Sequence, residues 1–383
     1  MKPKTRYIVG ATPVPKKSGF LSRLVVVVSL WLLAISTSVA QEYANIEYLC
    51  ADWGPAMKLS GKTNEPPQFS DTEEEVYFLK QVGRFTRKTR LVPDLLSGSM
   101  AEDIGHGISI YLCKMKPDGG DKTEIKELWK NPNYPIDTQG QSTWMDVNER
   151  TRKIALAITY AGSDVTGLWT MNLDGRELKR IITPAVTTNY LQAINHPSWT
   201  PDGQWIVFEE ELRGMNPNRF NIARCNAAGQ QFARLLEATE KIEYMQPSVS
   251  PDGRRIAFSK YPNGYPGGRH LWLVDVEGRN PHQLLTEKSK PLGGDYPTWS
   301  PDGKRILITG KIVEAASGEM LLQRRPVIQG RQGTYGWPHW GELGIVGSVV
   351  NGILFTDIEL REAKWIGSSK LAQCTGAKNS CRW

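Results

Sequence analysis

Apolar and polar residues alternate along the chain in short runs separated by turn-forming clusters, and the pattern has a period of 50 residues. Pro197-Ser198-Trp199-Thr200-Pro201-Asp202-Gly203 recurs as Pro247-Ser248-Val249-Ser250-Pro251-Asp252-Gly253 and again as Pro297-Thr298-Trp299-Ser300-Pro301-Asp302-Gly303. An alternating run follows each glycine: Trp205-Ile206-Val207-Phe208, Arg255-Ile256-Ala257-Phe258 and Arg305-Ile306-Leu307-Ile308. A hydroxyl residue, a proline that fixes φ, an aspartate and a glycine suit a type I turn, so each motif predicts a tight hairpin between two strands. A third run such as Leu271-Trp272-Leu273-Val274-Asp275 precedes a Glu277-Gly278 turn and a short fourth run, His282 to Thr286. Four strands in about 50 residues make one propeller blade.

Weaker copies extend the array. Trp144 precedes Lys153-Ile154-Ala155-Leu156, Phe69 precedes Glu75-Val76-Tyr77-Phe78, and Trp340 precedes Ile345-Val346-Gly347. The anchors Phe69, Trp144, Trp199, Val249, Trp299 and Trp340 predict an all-β fold, a single β-propeller over residues 41–370 with six recognisable repeats. A seventh blade stays open in the 75-residue gap between the first two anchors. The run Asn45-Ile46-Glu47-Tyr48-Leu49-Cys50 is expected to complete the last blade and close the ring, leaving no open edge.

Residues 1–40 carry six basic residues, no acid, a roughly 12-residue apolar run from Leu24 to Ile35, and small residues at Ser38 and Ala40. This is the pattern of a secretory signal peptide, too short in its apolar part to span a bilayer. Its removal leaves 41 Lys and Arg against 40 Asp and Glu, so the mature charge is near +1 and nucleic-acid binding is excluded. Export permits disulfides. Of the five cysteines, Cys374 and Cys381 are close enough to bridge within a polar tail, residues 371–383, whereas Cys113 and Cys225 fall in strand-like runs and read as buried thiols.

The Pro-x-Trp-Ser-Pro-Asp-Gly-x-x-Ile-x-Phe repeat resembles that of TolB-like propellers, which implies a six- or seven-bladed ring and a partner in the cell envelope. The extra domain that precedes the propeller in TolB has no room between Ala40 and the first anchor. Signal peptide, single propeller and no haem motif also make the layout similar to the haem-free propeller β subunit of hydrazine synthase from anaerobic ammonium oxidisers. That resemblance implies haem-bearing partner subunits, possession of no cofactor by this chain, and a periplasmic or internal energy compartment, the anammoxosome.

Candidate chemistry is sparse. No Gly-x-Ser-x-Gly elbow, Cys-x-x-Cys-His or His-Glu-x-x-His occurs. Asp202, Asp252 and Asp302 read as turn residues rather than calcium ligands. In a blade, the chain enters the first strand at the mouth of the central channel. Asn195, His196, Gln246, Asp295, Tyr296, Trp337 and His339 are therefore the candidate binding residues. Connections between second and third strands lie on the same side. They include Lys80 to His106, a loop with Arg213, Met215 and Arg219, and another with Tyr261, Tyr265 and Arg269. Arginine and aromatic residues suit a protein interface. The expected role is that of an exported, non-catalytic interaction subunit. A TolB-like envelope factor and a carbohydrate-active propeller enzyme, the latter needing two carboxylates at the mouth, are the alternatives.

Overall fold

The computed structural model describes residues 40–368, with breaks at 49–52, 59–73, 92–98, 117, 137–140, 161–162, 188, 263–267, 287, 325–326, 329–330, 333–335, 342–343, 350–351, 358–359 and 362. The signal-like segment before Ala40, the Phe69 anchor, Tyr265, and the Cys374 and Cys381 pairing lie outside the described residues. No helix occurs among the described residues, and accordingly none is long and apolar enough to cross a membrane.

Six antiparallel sheets follow one another along the chain. The first comprises β1 (Ala40–Tyr48), β2 (Trp53–Lys58), β3 (Glu74–Leu91), β4 (Ser99–Met115) and β5 (Thr123–Ile136). The second is β6 (Gln141–Asn148), β7 (Lys153–Tyr160), β8 (Gly167–Asn172) and β9 (Lys179–Ile182). The third is β10 (Leu191–Trp199), β11 (Trp205–Arg213), β12 (Arg219–Asn226) and β13 (Ala233–Leu236). The fourth is β14 (Ile242–Val249), β15 (Arg255–Pro262), β16 (His270–Asp275) and β17 (His282–Gln283). The fifth is β18 (Thr298–Trp299), β19 (Arg305–Ile308), β20 (Lys311–Glu314) and β21 (Met320–Gln323). A small hairpin, β22 (Val327–Ile328) and β23 (Arg331–Gln332), precedes the sixth: β24 (Gly336–Trp340), β25 (Ile345–Val349), β26 (Gly352–Thr356) and β27 (Ala363–Ser368).

The sheets are the six blades of a β-propeller. Their first strands pack side by side in the order β2, β6, β10, β14, β18, β24 and back to β2. The core has the same circular logic. Residues of each second strand alternate between the two faces of the sheet, and each face buries against a different neighbour. Val207 and Ile222 of the third blade join Ile256, Phe258 and Val274 of the fourth. Ala257 and Leu273 of the fourth join Trp299 and Ile306 of the fifth. Val346 of the sixth joins Val76, Phe78 and Met115 of the first, which closes the ring. Each fully buried Val, Leu, Ile, Phe or Met side chain among them contributes about 1.5–3 kcal/mol.

Polar contacts tie the blades further. The Arg255 guanidinium lies 4.9 Å from the centre of the Trp299 ring, and Arg305 lies 5.0 Å from that of Trp340. Gly229, in the turn between β12 and β13, lies so close to β9 that a Cβ there would come within 2.0 Å of the Ile181 carbonyl oxygen. The turns at the opposite face are built as the repeat predicts. Asp202 Oδ1 accepts from the Thr200 hydroxyl at 2.6 Å and from the Gln204 N–H at 3.0 Å. Asp252 and Asp302 repeat both bonds.

Two expectations are corrected. The Asn45–Tyr48 strand, within β1, pairs with β3 in the first blade; the last blade has four strands of its own, and β2 takes the first-strand place in blade one. The Lys80 to His106 stretch is mostly strand, because β3 runs to Leu91 and β4 begins at Ser99. Continued pairing satisfies main-chain groups that a loop of this length would leave to solvent. Among the described residues, 40–43 of β1, 86–91 of β3 and 99–104 of β4 belong to a second, small compact unit.

Candidate functional site at the channel mouth

The same irregularity recurs at the start of three successive blades, within β10 and β14 and just before β18. His196, Gln246 and Tyr296, each preceding the anchor proline, have φ of 47°, 58° and 56°. Left-handed backbone is rare for residues with a Cβ and costs about 1–3 kcal/mol each. In β10 and β14 it coincides with a bulge in the pairing, between Asn195 and Ser198 and between Met245 and Ser248. The bulge takes the main-chain N–H out of the ladder, and a side chain must receive it.

Those receivers link the blades. Glu209 Oε2, on β11, accepts the Gln246 N–H at 2.9 Å. The Gln246 amide oxygen in turn accepts the Tyr296 N–H and the Ser259 hydroxyl, both at 3.0 Å. The Asp295 N–H donates to Thr309 Oγ1 at 3.1 Å. On the other side, Trp144 Nε1 of the second blade donates to Asn195 Oδ1 at 3.1 Å. Asn195 Nδ2 lies 3.3 Å from both Glu209 Oε1 and Glu211 Oε2. A belt of hydrogen bonds thus runs through blades two to five.

His196 sits in the middle of this belt. Its Nδ1 is 3.1 Å from Glu209 Oε2. Its ring lies 3.7 Å from the Trp144 ring and 6.0 Å from the Tyr296 ring, centre to centre, so side chains of blades two, three and five converge. Its Nε2 is buried and has no hydrogen-bond partner among the described residues. Burial by itself would raise the Glu209 carboxyl. The His196 imidazole outweighs it, with help from the Gln246 N–H and the Asn195 amide, and the group is held below its ordinary value.

Glu209, Glu210 and Glu211 are all buried, at 2%, 0% and 7% exposure. Glu210 is gripped by Arg234 through Nε at 2.6 Å and Nη2 at 3.0 Å, and by Gln192 and Asn221. Glu211 holds the β11–β12 loop, accepting from Arg213 Nε at 2.7 Å and from Asn218 Nδ2 at 3.3 Å.

The sequence-predicted residues divide as follows. Asn195, His196, Gln246 and Tyr296 come together in the belt. Asp295 adjoins it and pairs with Arg269 Nη1 at 3.0 Å. His339 is half-buried in β24, and burial pushes its imidazole down to about 4. Trp337 also lies in β24. Arg213 is held by Glu211, and Arg219 lies 3.6 Å from the exposed Glu240 and donates to the Pro217 carbonyl at 3.0 Å. Met215 and Tyr261 are half-buried at the mouth side, and the Arg269 guanidinium lies 5.7 Å from the Tyr261 ring centre. Cys113 and Cys225 are buried, and burial pushes the Cys225 thiol up to about 12.

Glu209, Glu211 and Trp144 were not singled out as site residues from the sequence. The available signal is a mismatch between repeats: Phe208-Glu209 stands where the other copies have Phe258-Ser259 and Ile308-Thr309. A carboxylate continuing a buried strand requires a partner.

No family model matches the chain. Among curated proteins, TolB of the Tol-Pal system from Francisella tularensis subsp. tularensis is 34% identical over 190 residues, covering 39% of this chain and 42% of that protein. TolB from Alcanivorax borkumensis is 32% identical over 98 residues, covering 24% and 20%. An uncharacterized peptidase, YuxL of Bacillus subtilis, is 24% identical over 152 residues, covering 40% and 22%. The chain spans between about a fifth and a half of the length of the curated relatives it matches first. Among solved structures, Kuenenia stuttgartiensis hydrazine synthase matches 74% of this chain and 44% of its own at 14% identity and a TM-score of 0.45. An oligogalacturonate lyase from Vibrio parahaemolyticus matches 75% and 84% at 13% identity and a TM-score of 0.40. Both scores fall below 0.5. The chain is thus a six-bladed β-propeller, part of which is similar in sequence to TolB of the Tol-Pal system.

Proposed function

We propose that this chain is an exported, non-catalytic platform whose channel mouth receives a partner protein. The observation that carries the reading is the hydrogen-bonded belt from Trp144 to Tyr296. Side chains from four blades are fixed in one place before any partner arrives, which lowers the ordering cost of association. The β11–β12 loop beside it is likewise held in shape by Glu211. The TolB matches support a periplasmic setting. A finer form of the reading, resting on layout, makes the chain the β subunit of hydrazine synthase, with haem carried by its partners; a TolB-like envelope factor is an equally supported form.

A carbohydrate-active enzyme is less well supported. It needs two carboxylates available at the mouth, whereas Glu209 and Glu211 are each held by several donors and Asp295 by Arg269. The test is to isolate the native mature protein from its own organism and record its size and absorbance spectrum. Stoichiometric co-elution with other subunits supports the platform, and a haem Soret band in that complex supports the redox form. A colourless monomer counts against both.

A further inference from the structure

Lys260 stands apart from the cations around it. Near the mouth, Arg213 pairs with Glu211, Arg219 with Glu240, Arg234 with Glu210 and Arg269 with Asp295. Lys260, near the mouth-side end of β15, has no carboxylate and no hydrogen-bond acceptor among the described residues. Its ammonium lies 3.9 Å from the centre of the Trp272 ring and 5.8 Å from that of Tyr244. Both rings belong to the apolar cluster between blades three and four, with Val207, Ile222 and Phe258. The side chain is half-buried, so one side of the amine faces apolar groups while the residue keeps some access to solvent.

The groups beside it do not supply the missing charge. In register across the sheet stand Tyr244 on β14 and His270 on β16. Burial holds the Tyr244 phenol up, so at neutral pH it carries no charge. The ring faces favour the cation only weakly at a partly exposed site. The stronger support of a charge-assisted hydrogen bond is missing. Desolvation therefore prevails, and it holds the amine below the ordinary lysine value of 10.5.

We propose that Lys260 is a reactive amine site that takes a carbonyl compound, preferably a flat aromatic aldehyde, as a Schiff base. The neutral Nζ lone pair attacks the carbonyl carbon to form a carbinolamine. The amine proton passes to the oxygen, the C–O bond breaks, water leaves and the C=N bond forms. Trp272 and Tyr244 offer faces against which an aromatic aldehyde can lie.

The experiment treats the full chain with substoichiometric pyridoxal across a pH series. Borohydride supplies the hydride that traps the imine as a secondary amine, and peptide mass spectrometry maps the adduct. Lys260 is expected to label several-fold faster at pH 7.5 than the exposed Lys241, Lys288 and Lys290, with its labelling midpoint below 10.5. Lys260→Arg abolishes that adduct. Trp272→Leu, checked for fold by circular dichroism, reduces the preference while leaving the other lysines unchanged. Labelling of Lys260 no faster than the three reference lysines overturns the proposal, as does an ordinary pH midpoint.

Discussion

Glu209 on the second strand of the third blade accepts the main-chain N–H of Gln246, on the first strand of the fourth, at 2.9 Å. The same carboxylate oxygen meets His196 Nδ1 at 3.1 Å. One buried side chain therefore caps the bulge of a neighbouring blade and orients the imidazole of its own. Glu209→Ala is expected to cost about 3–5 kcal/mol, because it strands several buried donors at once. Glu209→Gln keeps an acceptor oxygen and should cost less than half as much. Urea denaturation of the two variants checks the order; equal losses would mean that the charge, not the shape and acceptor oxygen that Gln keeps, holds the belt.

Acid should loosen the ring in two stages. His339 is held at about 4 against an ordinary 6.5, so the unfolded chain takes up its proton first. The stability due to neutral His339 is complete above pH 6.5 and is lost as pH falls toward 4. Glu209, lowered from 4.5, contributes stability that is present above that value and disappears only at lower pH. Asp146 has the opposite sign: burial raises it to about 7 from 3.8, so its cost grows as pH rises through that range. Denaturation midpoints at pH 7 and pH 5 should therefore differ less in His339→Gln than in the wild type. Identical differences would rule out an imidazole held neutral in the fold.

Gly229 is expected to tolerate no side chain. Its φ is +81°, and a Cβ would meet the Ile181 carbonyl at 2.0 Å, so Gly229→Ala should cost about 2 kcal/mol or more. Gly268 has a similar φ of +75° with nothing within 4 Å, and Gly268→Ala should cost only the backbone part, about 1–2 kcal/mol. Thermal melts of the pair separate close approach from conformation.

The blade was legible in the sequence because its turn chemistry and strand alternation repeat every 50 residues from Pro197 to Gly303. The first blade was not. Its second strand, beginning at Glu74, is recognisable, but β2 carries no repeat motif, and β1 gives no sign of which sheet edge it joins. At the mouth, the position before each anchor proline pointed to His196, Gln246 and Tyr296 through connectivity alone. Glu209 escaped notice because its importance is non-local: its partners lie 13 and 37 residues away. Arg213 and Arg219 read as interface residues by composition, yet Arg213 turns inward onto the buried Glu211 and Arg219 pairs with the exposed Glu240. What the β11–β12 loop presents outward is Asn216 and Pro217, with Met215 half-buried beside them.

The most direct test asks whether the mouth face alone binds the partner. The native complex would be reconstituted with Met215→Asp, on the mouth side, and with Arg254→Glu, an exposed residue beside the Pro251-Asp252-Gly253 turn at the opposite face. Size exclusion would then show how much of each variant co-elutes with its partner. The platform account predicts that Met215→Asp falls out of the complex while Arg254→Glu stays in it. Retention of Met215→Asp together with loss of Arg254→Glu, or a wild-type protein that elutes as a lone monomer, would contradict it.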